Sequence, residues 1–300
     1  MKFSKLLILV MLMACVASSL DATEEQGVSS PAQKGKAYEE QVLIVGKWGE
    51  KPGEYKYRMW EGDLDWPRSM VVDDNEEIYI LDHLNNRVQH YDKNGKFLGV
   101  IPIDSYKLAS NEDIKRNNGL EYPATSIREI KYIDGAIYAV KDERSGTKRS
   151  ETLHKFSKGR FSKVAAADEE TKVRNKMSRS FRIAEIKEKL KADSKFKAES
   201  QKRNNTVSER LTYDGFDASF AFEDQSKHKW FSNGRVIRAY GPNGNMLFEI
   251  LKNMETMIIS TQANLYLLGL YSTKPSEDQE KWDFEGYWEG ISVKKIILKK

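Results

Sequence analysis

Cysteine is almost absent from this sequence. The 300-residue chain holds a single cysteine, Cys15, so no disulfide can form within it and no zinc site of several cysteines is available. Four histidines are scattered along the chain, and none has the close spacing of a metal-ligand pair. The sequence also lacks a G-x-S-x-G elbow, an HExxH motif and a P-loop. We therefore predict no catalytic residue, no metal site and no cofactor.

An excess of charge of one sign is missing as well. The 49 basic and 45 acidic side chains leave a net charge of only +4. A nucleic-acid partner is not predicted, because binding the phosphate backbone requires basic residues gathered on one face. With 39% hydrophobic and 11% aromatic residues, the composition is that of a globular protein with one large domain or two small ones.

The longest apolar run lies near the N-terminus. Residues 6–14 (LLILVMLMA) follow Lys2 and Lys5 and are too few to span a bilayer, so residues 1–20 are predicted to be an export signal. The run ends in Leu12-Met13-Ala14-Cys15, which resembles a bacterial lipobox and predicts lipidation at Cys15. The alternative is ordinary signal cleavage after Ser19.

A polar stretch follows the export signal. Residues 21–40 contain Gly, Ser and Pro and bury little surface, so they are predicted to be a flexible tether. The globular domain then covers residues 41–300. The expected location is the cell envelope, where the protein would be anchored to the membrane as a lipoprotein. The alternative is a secreted or periplasmic protein.

Two short units recur in the domain. Residues 77–81, 136–140 and 264–268 are apolar runs centred on Ile-Tyr or Leu-Tyr, which indicate buried strands. A second unit of alternating apolar residues and a tight turn with glycine recurs at 88–98, 153–161 and 237–247, as in Asn94-Gly95 and Asn243-Gly244, and a last copy at 293–296 stops before its turn. Repeated units of this kind indicate a repeat architecture.

The repeats divide the domain into four strand groups. Residues 41–46 can add an outer strand to the last group, which would close a ring and remove a free sheet edge. We therefore predict an all-β fold, a β-propeller with four recognisable blades and four to six possible, closed by the N-terminal strand. The groups cover residues 66–101, 126–164, 206–250 and 254–298.

Residues 46–100 resemble an NHL repeat, and the resemblance implies a propeller whose Asp and Arg beside the Asn-Asn turn are structural. On this basis Asp82 accepts hydrogen bonds within its own blade, and Arg87, next to Asn86, braces a neighbouring strand. A carboxylate and a guanidinium five residues apart are also more often such a brace than a catalytic pair. RNA binding, which some NHL proteins show, does not fit an exported protein. The resemblance rests on Gly46-Lys47-Trp48-Gly49, Trp66-Pro67-Arg68, Ile78-Tyr79-Ile80-Leu81-Asp82, Asn85-Asn86-Arg87-Val88 and Asn94-Gly95-Lys96-Phe97.

Residues 168–205 interrupt the strand pattern. The segment is rich in Lys, Glu, Arg and Ala and is predicted to be an inserted helical segment. Its apolar stripe either packs on the propeller rim or docks a partner, and contact with anionic lipid is a weaker alternative. The stripe consists of Phe181, Ile183, Ile186 and Leu190.

A second insertion, residues 272–290, carries Trp282, Phe284, Tyr287 and Trp288 among carboxylates. These aromatic residues either cover the end of the propeller core or form a partner-binding surface for a protein or a glycan. The expected function is accordingly that of a binding or scaffolding module for an unknown protein or carbohydrate. The alternative is a metal-dependent hydrolase or lyase with its site in the propeller channel.

Overall fold

We describe a computed structural model of the chain. Residues 38–298 are described except for 61–62, 117–121, 146–147, 178, 204–205, 219, 225, 252–255, 260–263 and 275–286. The predicted export signal, Cys15 and most of the predicted tether lie outside the described residues. Within this part of the chain, no helix is long and apolar enough to cross a membrane.

The described chain begins with a long strand and a short hairpin. Strand β1 (Tyr38–Lys47) pairs with a strand near the other end of the described chain, residues 290–298. Strands β2 (Arg58–Trp60) and β3 (Asp63–Asp65) pair antiparallel with each other. Tyr55, between β1 and β2, is fully buried and packs in the first core cluster.

The first sheet is a four-stranded antiparallel meander. Every residue of its two inner strands is buried, and their side chains alternate between two cores, as strand geometry requires. Ile78 and Ile80 contact one cluster, and Tyr79 and Leu81 contact another. The strands are β4 (Ser69–Val72), β5 (Ile78–Asp82), β6 (Arg87–Tyr91) and β7 (Phe97–Pro102).

The second sheet contains the same meander with an extension. Strand β8 (Tyr106–Leu108), helix α1 (Asn111–Arg116) and strand β9 (Pro123–Ser126) come first, and β9 pairs with the far end of β11. The meander proper consists of β10 (Ile130–Ile133), β11 (Ala136–Ser145), β12 (Lys148–Ser157) and β13 (Arg160–Lys163).

The predicted helical segment is helical only in part. Helices α2 (Ala167–Met177) and α3 (Arg179–Leu190) are followed by β14 (Phe196–Arg203), which pairs along its whole length with β15 (Thr206–Tyr213). Strand β16 (Phe216–Ala218) completes a three-stranded sheet. The expectation of helix up to residue 205 therefore differs from the structure, because cross-strand pairing and the packing of Phe196 and Ala198 override the helix propensity of Lys, Glu and Ala.

The third and fourth sheets are again four-stranded. Predicted group 206–250 divides between the three-stranded sheet and the third sheet. The third sheet consists of β17 (Phe220–Glu223), β18 (Lys229–Ser232), β19 (Val236–Tyr240) and β20 (Met246–Leu251). The fourth consists of β21 (Thr256–Ile259), β22 (Leu265–Tyr271), β23 (Gly290–Leu298) and, as its outermost strand, β1. The closing role predicted for the N-terminal strand is confirmed.

Two of the glycine turns combine a left-handed glycine with a β-bulge. Gly95 has φ +81° and Gly244 has φ +75°, but neither preceding asparagine has a positive φ. The register shifts by one residue at Tyr91 and Tyr240, beside these turns. The structure therefore has turns with a left-handed glycine and an adjacent bulge, a common hairpin connection.

The sheets surround a common axis as a β-propeller. Separate apolar clusters join the second sheet to the first, the first to the fourth, the fourth to the third, and the third to the three-stranded sheet. Val173 of α2 packs on the second sheet, and Ile186 and Leu190 of α3 pack beside the three-stranded sheet. Because α2 and α3 also contact each other, the two helices connect the second sheet to the three-stranded sheet. The fold is all-β with four complete blades, within the predicted range.

Candidate functional site

One face of the propeller gathers the polar residues of interest, and we call it the upper face. Near the starts of β4 and β10 the amide of Ile130 donates to Ser69 Oγ at 2.9 Å, and near their ends the amide of Asp74 lies 3.4 Å from the Tyr132 hydroxyl. The two inner strands therefore run in the same direction. The upper face is the side where β4 and β10 begin and where β5, β11 and β22 end.

Asp82 and Arg87 hold the loop that follows β1. Asp82 has no exposed surface, and its Oδ2 accepts a hydrogen bond from Arg87 Nε at 2.8 Å. The guanidinium also donates to the carbonyls of Glu50, Lys51 and Glu54 at 2.7–2.8 Å. Burial raises the pKa of Asp82, against hydrogen bonds from Asn85, the Lys56 amide and Arg87 that lower it. Asp82 and Arg87 thus contact the loop after β1. The resemblance to an NHL repeat implied that Arg87 would instead contact a neighbouring strand.

Asn86 holds the chain leaving the first sheet. It is in the left-handed region at φ 53°, and its Oδ1 accepts hydrogen bonds from the amides of Ser105 and Tyr106 at 2.9 and 2.6 Å. Ser105 Oγ in turn donates to the carbonyl of His83 at 2.8 Å. These bonds fix the position of His83, whose ring is nearly buried.

An acid–base pair lies on the upper face beside the start of the first sheet. His83 Nε2 is 3.1 Å from Asp65 Oδ1, and the His83 ring meets the Tyr106 ring edge-on at 6.1 Å between centroids. Burial raises the pKa of Asp65, but His83 and the cationic Arg128 and Arg68 outweigh it, so the pKa lies below its ordinary value. The Asp65 carboxylate is therefore held in its ionised form.

A charged depression of about 290 Å³ lies in the second sheet on the same face. Asp142 is paired with Arg149 at 2.9 Å and with Arg144 at 3.5 Å, and Arg149 also contacts Glu151 at 2.9 Å. Arg128 lines this depression and also acts on Asp65, so it connects the two features. The remaining polar lining is Ser126, Glu129 and Lys131.

The aromatic insertion joins β22 to β23, and its described ends therefore lie on the upper face. Tyr287 is buried, and Trp288 packs against the first core cluster. The Trp288 carbonyl accepts a hydrogen bond from Trp48 Nε1 at 2.8 Å. These two rings thus contact the protein itself in this structure. Trp282 and Phe284 lie outside the described residues, so a partner-binding role for the insertion stays a prediction.

Sequence reasoning did not select Asp65, His83 or Arg128. They are 18 and 45 residues apart, and histidines were considered only as metal ligands. The one signal in the sequence is that each of these residues lies next to the end of a short apolar strand. Asp65 precedes β4, His83 follows β5 and Arg128 precedes β10. Among the residues described, no three His, Cys, Asp or Glu side chains form a group that could hold a metal ion.

No protein-family model matches the chain, and comparison with curated proteins gives no match. Solved structures similar to it include regucalcin, a calcium-binding protein from Agrobacterium tumefaciens, at 10% identity and a TM-score of 0.30 over 78% of this chain and 91% of that one. A gluconolactonase from Xanthomonas campestris has 12% identity and a TM-score of 0.28 over 80% and 76%. Virginiamycin B lyase from Staphylococcus aureus has 11% identity and a TM-score of 0.22 over 67% and 62%. The fold assignment rests on the strand pairing described above, and these remote similarities transfer no activity.

Proposed function

We propose that this propeller is a binding module that holds a protein or glycan partner at the cell envelope through its upper face. The observation that carries the proposal is the position of Arg128, which lines the charged depression and lies two residues before Ile130, whose amide donates a hydrogen bond to Ser69 near the Asp65–His83 pair. Propellers bind ligands through the loops of one face, and functional residues commonly lie in such loops. A preorganised array of both charge signs favours a polar partner of complementary pattern.

Several features of the sequence support the location. The lipobox-like end of the predicted signal at Cys15 and the polar residues 21–40 would tether the domain to a membrane. Membership of the NHL-repeat family is part of the same proposal and is supported by residues 46–100. Asp82, Asn86 and Arg87 are proposed as structural braces, because Asp82 and Arg87 bond to backbone of the loop after β1 and Asn86 bonds to backbone that leaves the first sheet.

The test is site-specific photo-crosslinking in cell-envelope extracts of the source organism. A photoreactive residue replaces Ser126 in the depression, or Asn94 in a turn at the opposite end of the first sheet as the control. We expect a discrete cross-linked species from position 126 only, and its loss when Arg128→Glu is added. Equal cross-linking from both positions, or no effect of Arg128→Glu, would contradict an upper-face site.

The second candidate is an enzyme, and the Asp65–His83 pair is the observation that favours it. A nearly buried histidine that is bonded to an ionised carboxylate is suited to general acid–base work. Known propellers of similar topology are named as a gluconolactonase and a lyase. Turnover of a lactone panel by the purified protein, analysed together for bound Zn²⁺ and Ca²⁺, decides this point. Activity that His83→Gln abolishes without changing the thermal midpoint would favour the enzyme.

A further inference from the structure

A second concave surface lies between helix α3 and strand β14, and it shares no lining residue with the charged depression. We call it the α3–β14 groove. Its volume is about 480 Å³, within the range of about 300–1,000 Å³ typical of ligand sites. It is lined by Ala184, Lys187, Glu188, Lys191, Phe196 and Ala198.

The groove has an apolar floor. Phe196 and Ala198 are only half-buried although they pack against the cluster beneath, and Ala184 is exposed on the helix side. Their remaining surface faces the groove. Such a floor stabilises a ligand that brings apolar side chains of its own.

The groove is also bordered by a free strand edge. In the described part of the chain β14 pairs only with β15, so its other edge has no strand partner. An unpaired edge presents backbone donors and acceptors that an added strand can satisfy. Pairing of this kind is a recurring way to bind an extended peptide, with side-chain pockets supplying specificity.

The groove lies in a basic part of the chain. Residues 168–205 contain twelve Lys and Arg against seven Asp and Glu, a net charge of +5 in a chain whose total is +4. Lys187 and Lys191 line the groove, and Lys197 is exposed on β14. The one acidic lining residue, Glu188, is paired with Lys191, so the lining carries one positive charge in excess, and Lys197 adds a second. An occupant with carboxylates fits this rim.

We infer that the α3–β14 groove binds an extended acidic segment of a partner protein, which pairs with the edge of β14 and inserts apolar side chains over Phe196 and Ala198. The inference rests on the proposed binding function and adds a site and a partner chemistry to it. A concave groove with a strand edge fits an extended chain better than a flat anionic lipid surface, which requires protruding apolar residues.

The probe is a fluorescein-labelled peptide of alternating Glu and Val with the length of β14, 8 residues. Fluorescence anisotropy against the full chain measures its affinity. Control peptides replace Glu by Lys, or carry N-methyl groups on alternate amides, which removes the hydrogen bonds of strand pairing. We expect binding of the Glu-Val peptide alone.

Protein variants separate charge from shape. Lys187→Glu with Lys191→Glu should weaken binding at least about tenfold, equivalent to about 1.4 kcal/mol. Ala184→Arg keeps the positive charge and the helix but fills the groove, and should weaken binding to the same degree. Lys189→Glu is the matched control, since Lys189 pairs with Glu185 and does not line the groove; its affinity should stay within about twofold of the parent.

Several outcomes would overturn the inference. Unchanged affinity in Ala184→Arg, or equal binding of the N-methylated peptide, would exclude the groove or the strand pairing. Binding to phosphatidylglycerol vesicles without peptide binding would identify a lipid contact. If the peptide binds but no upper-face cross-link forms, only the proposed upper-face site is contradicted. If the cross-links form but the peptide does not bind, only the groove is contradicted.

Discussion

The ammonium of Lys295 lies 3.1 Å from the carboxylate of Glu76, and this contact joins the first sheet to the fourth. Glu76 follows β4 in the left-handed region, at φ 61°. Its other oxygen accepts hydrogen bonds from Asn264 and from the hydroxyl of Tyr266. Both charged side chains are largely buried, so the carboxylate satisfies three donors at the boundary between two blades.

We expect Glu76→Gln to destabilise the protein by about 3 kcal/mol, because it leaves the buried ammonium of Lys295 without its countercharge. Urea unfolding followed by tryptophan fluorescence measures the change. Adding Lys295→Met should recover part of the loss, since the uncompensated charge is then removed. A double variant as unstable as the single one would argue against this cause.

The same contact predicts a pH dependence. Burial raises the pKa of Glu76, but the bonds from Asn264, Lys295 and Tyr266 outweigh it, and the pKa lies below its ordinary 4.5. A folded-state pKa below the unfolded value stabilises the protein above that value and stops doing so as pH falls through the folded pKa. The stability difference between the parent and Glu76→Gln should therefore be constant near neutrality and shrink below about pH 4.5. A difference that does not change down to about pH 3 would be inconsistent with this linkage.

Two equivalent turn glycines should respond differently to alanine. Gly95 and Gly159 both join the third and fourth strands of their sheets, at φ +81° and +78°. A Cβ on Gly95 would lie 2.2 Å from the carbonyl oxygen of Leu43 in β1, whereas a Cβ on Gly159 meets nothing within 4 Å. Gly159→Ala should cost about 1 kcal/mol for the left-handed conformation alone.

Gly95→Ala should cost at least about 2 kcal/mol more than Gly159→Ala, because β1 must also move away. Thermal and urea unfolding of the two variants give the comparison. Equal losses in both would mean that the turn does not approach β1 closely in solution.

Replacing Arg87 by lysine should also be costly. The guanidinium bonds to Asp82 and to three loop carbonyls at once, and an ammonium cannot reproduce that planar arrangement. We expect Arg87→Lys to lower the unfolding free energy by about 2–3 kcal/mol. Arg160→Lys, at an exposed position on β13, is the control and should change it by less than about 0.5 kcal/mol.

Local patterns predicted the complete blades because each blade is built from neighbouring segments. The Ile-Tyr strands and glycine turns are short-range signals, and they located the inner and outer strands of the first, second and fourth sheets. The strand β14 was missed because its sequence, FKAESQKR, has no apolar alternation beyond Ala198, and it becomes a strand only through pairing with β15.

The candidate site could not be predicted in the same way. The Asp65–His83 pair and the depression lined by Arg128 lie on one face because β4 and β10 begin on the same side of the ring, a relationship that no single segment contains. The Glu76 contact spans 219 residues and depends on the same closure. The contact between Asp82 and Arg87 is within reach of local sequence, since the two residues are only five apart.

The pairing of β1 with β23 has a consequence for biosynthesis. Strand β1 leaves the ribosome long before its partner Gly290–Leu298 has been translated, so its ladder must remain open until that late segment emerges. Loop closure over this separation is slow compared with the formation of the hairpins between. The ring of sheets therefore stays open for most of the chain's synthesis and can close only after β23 has emerged.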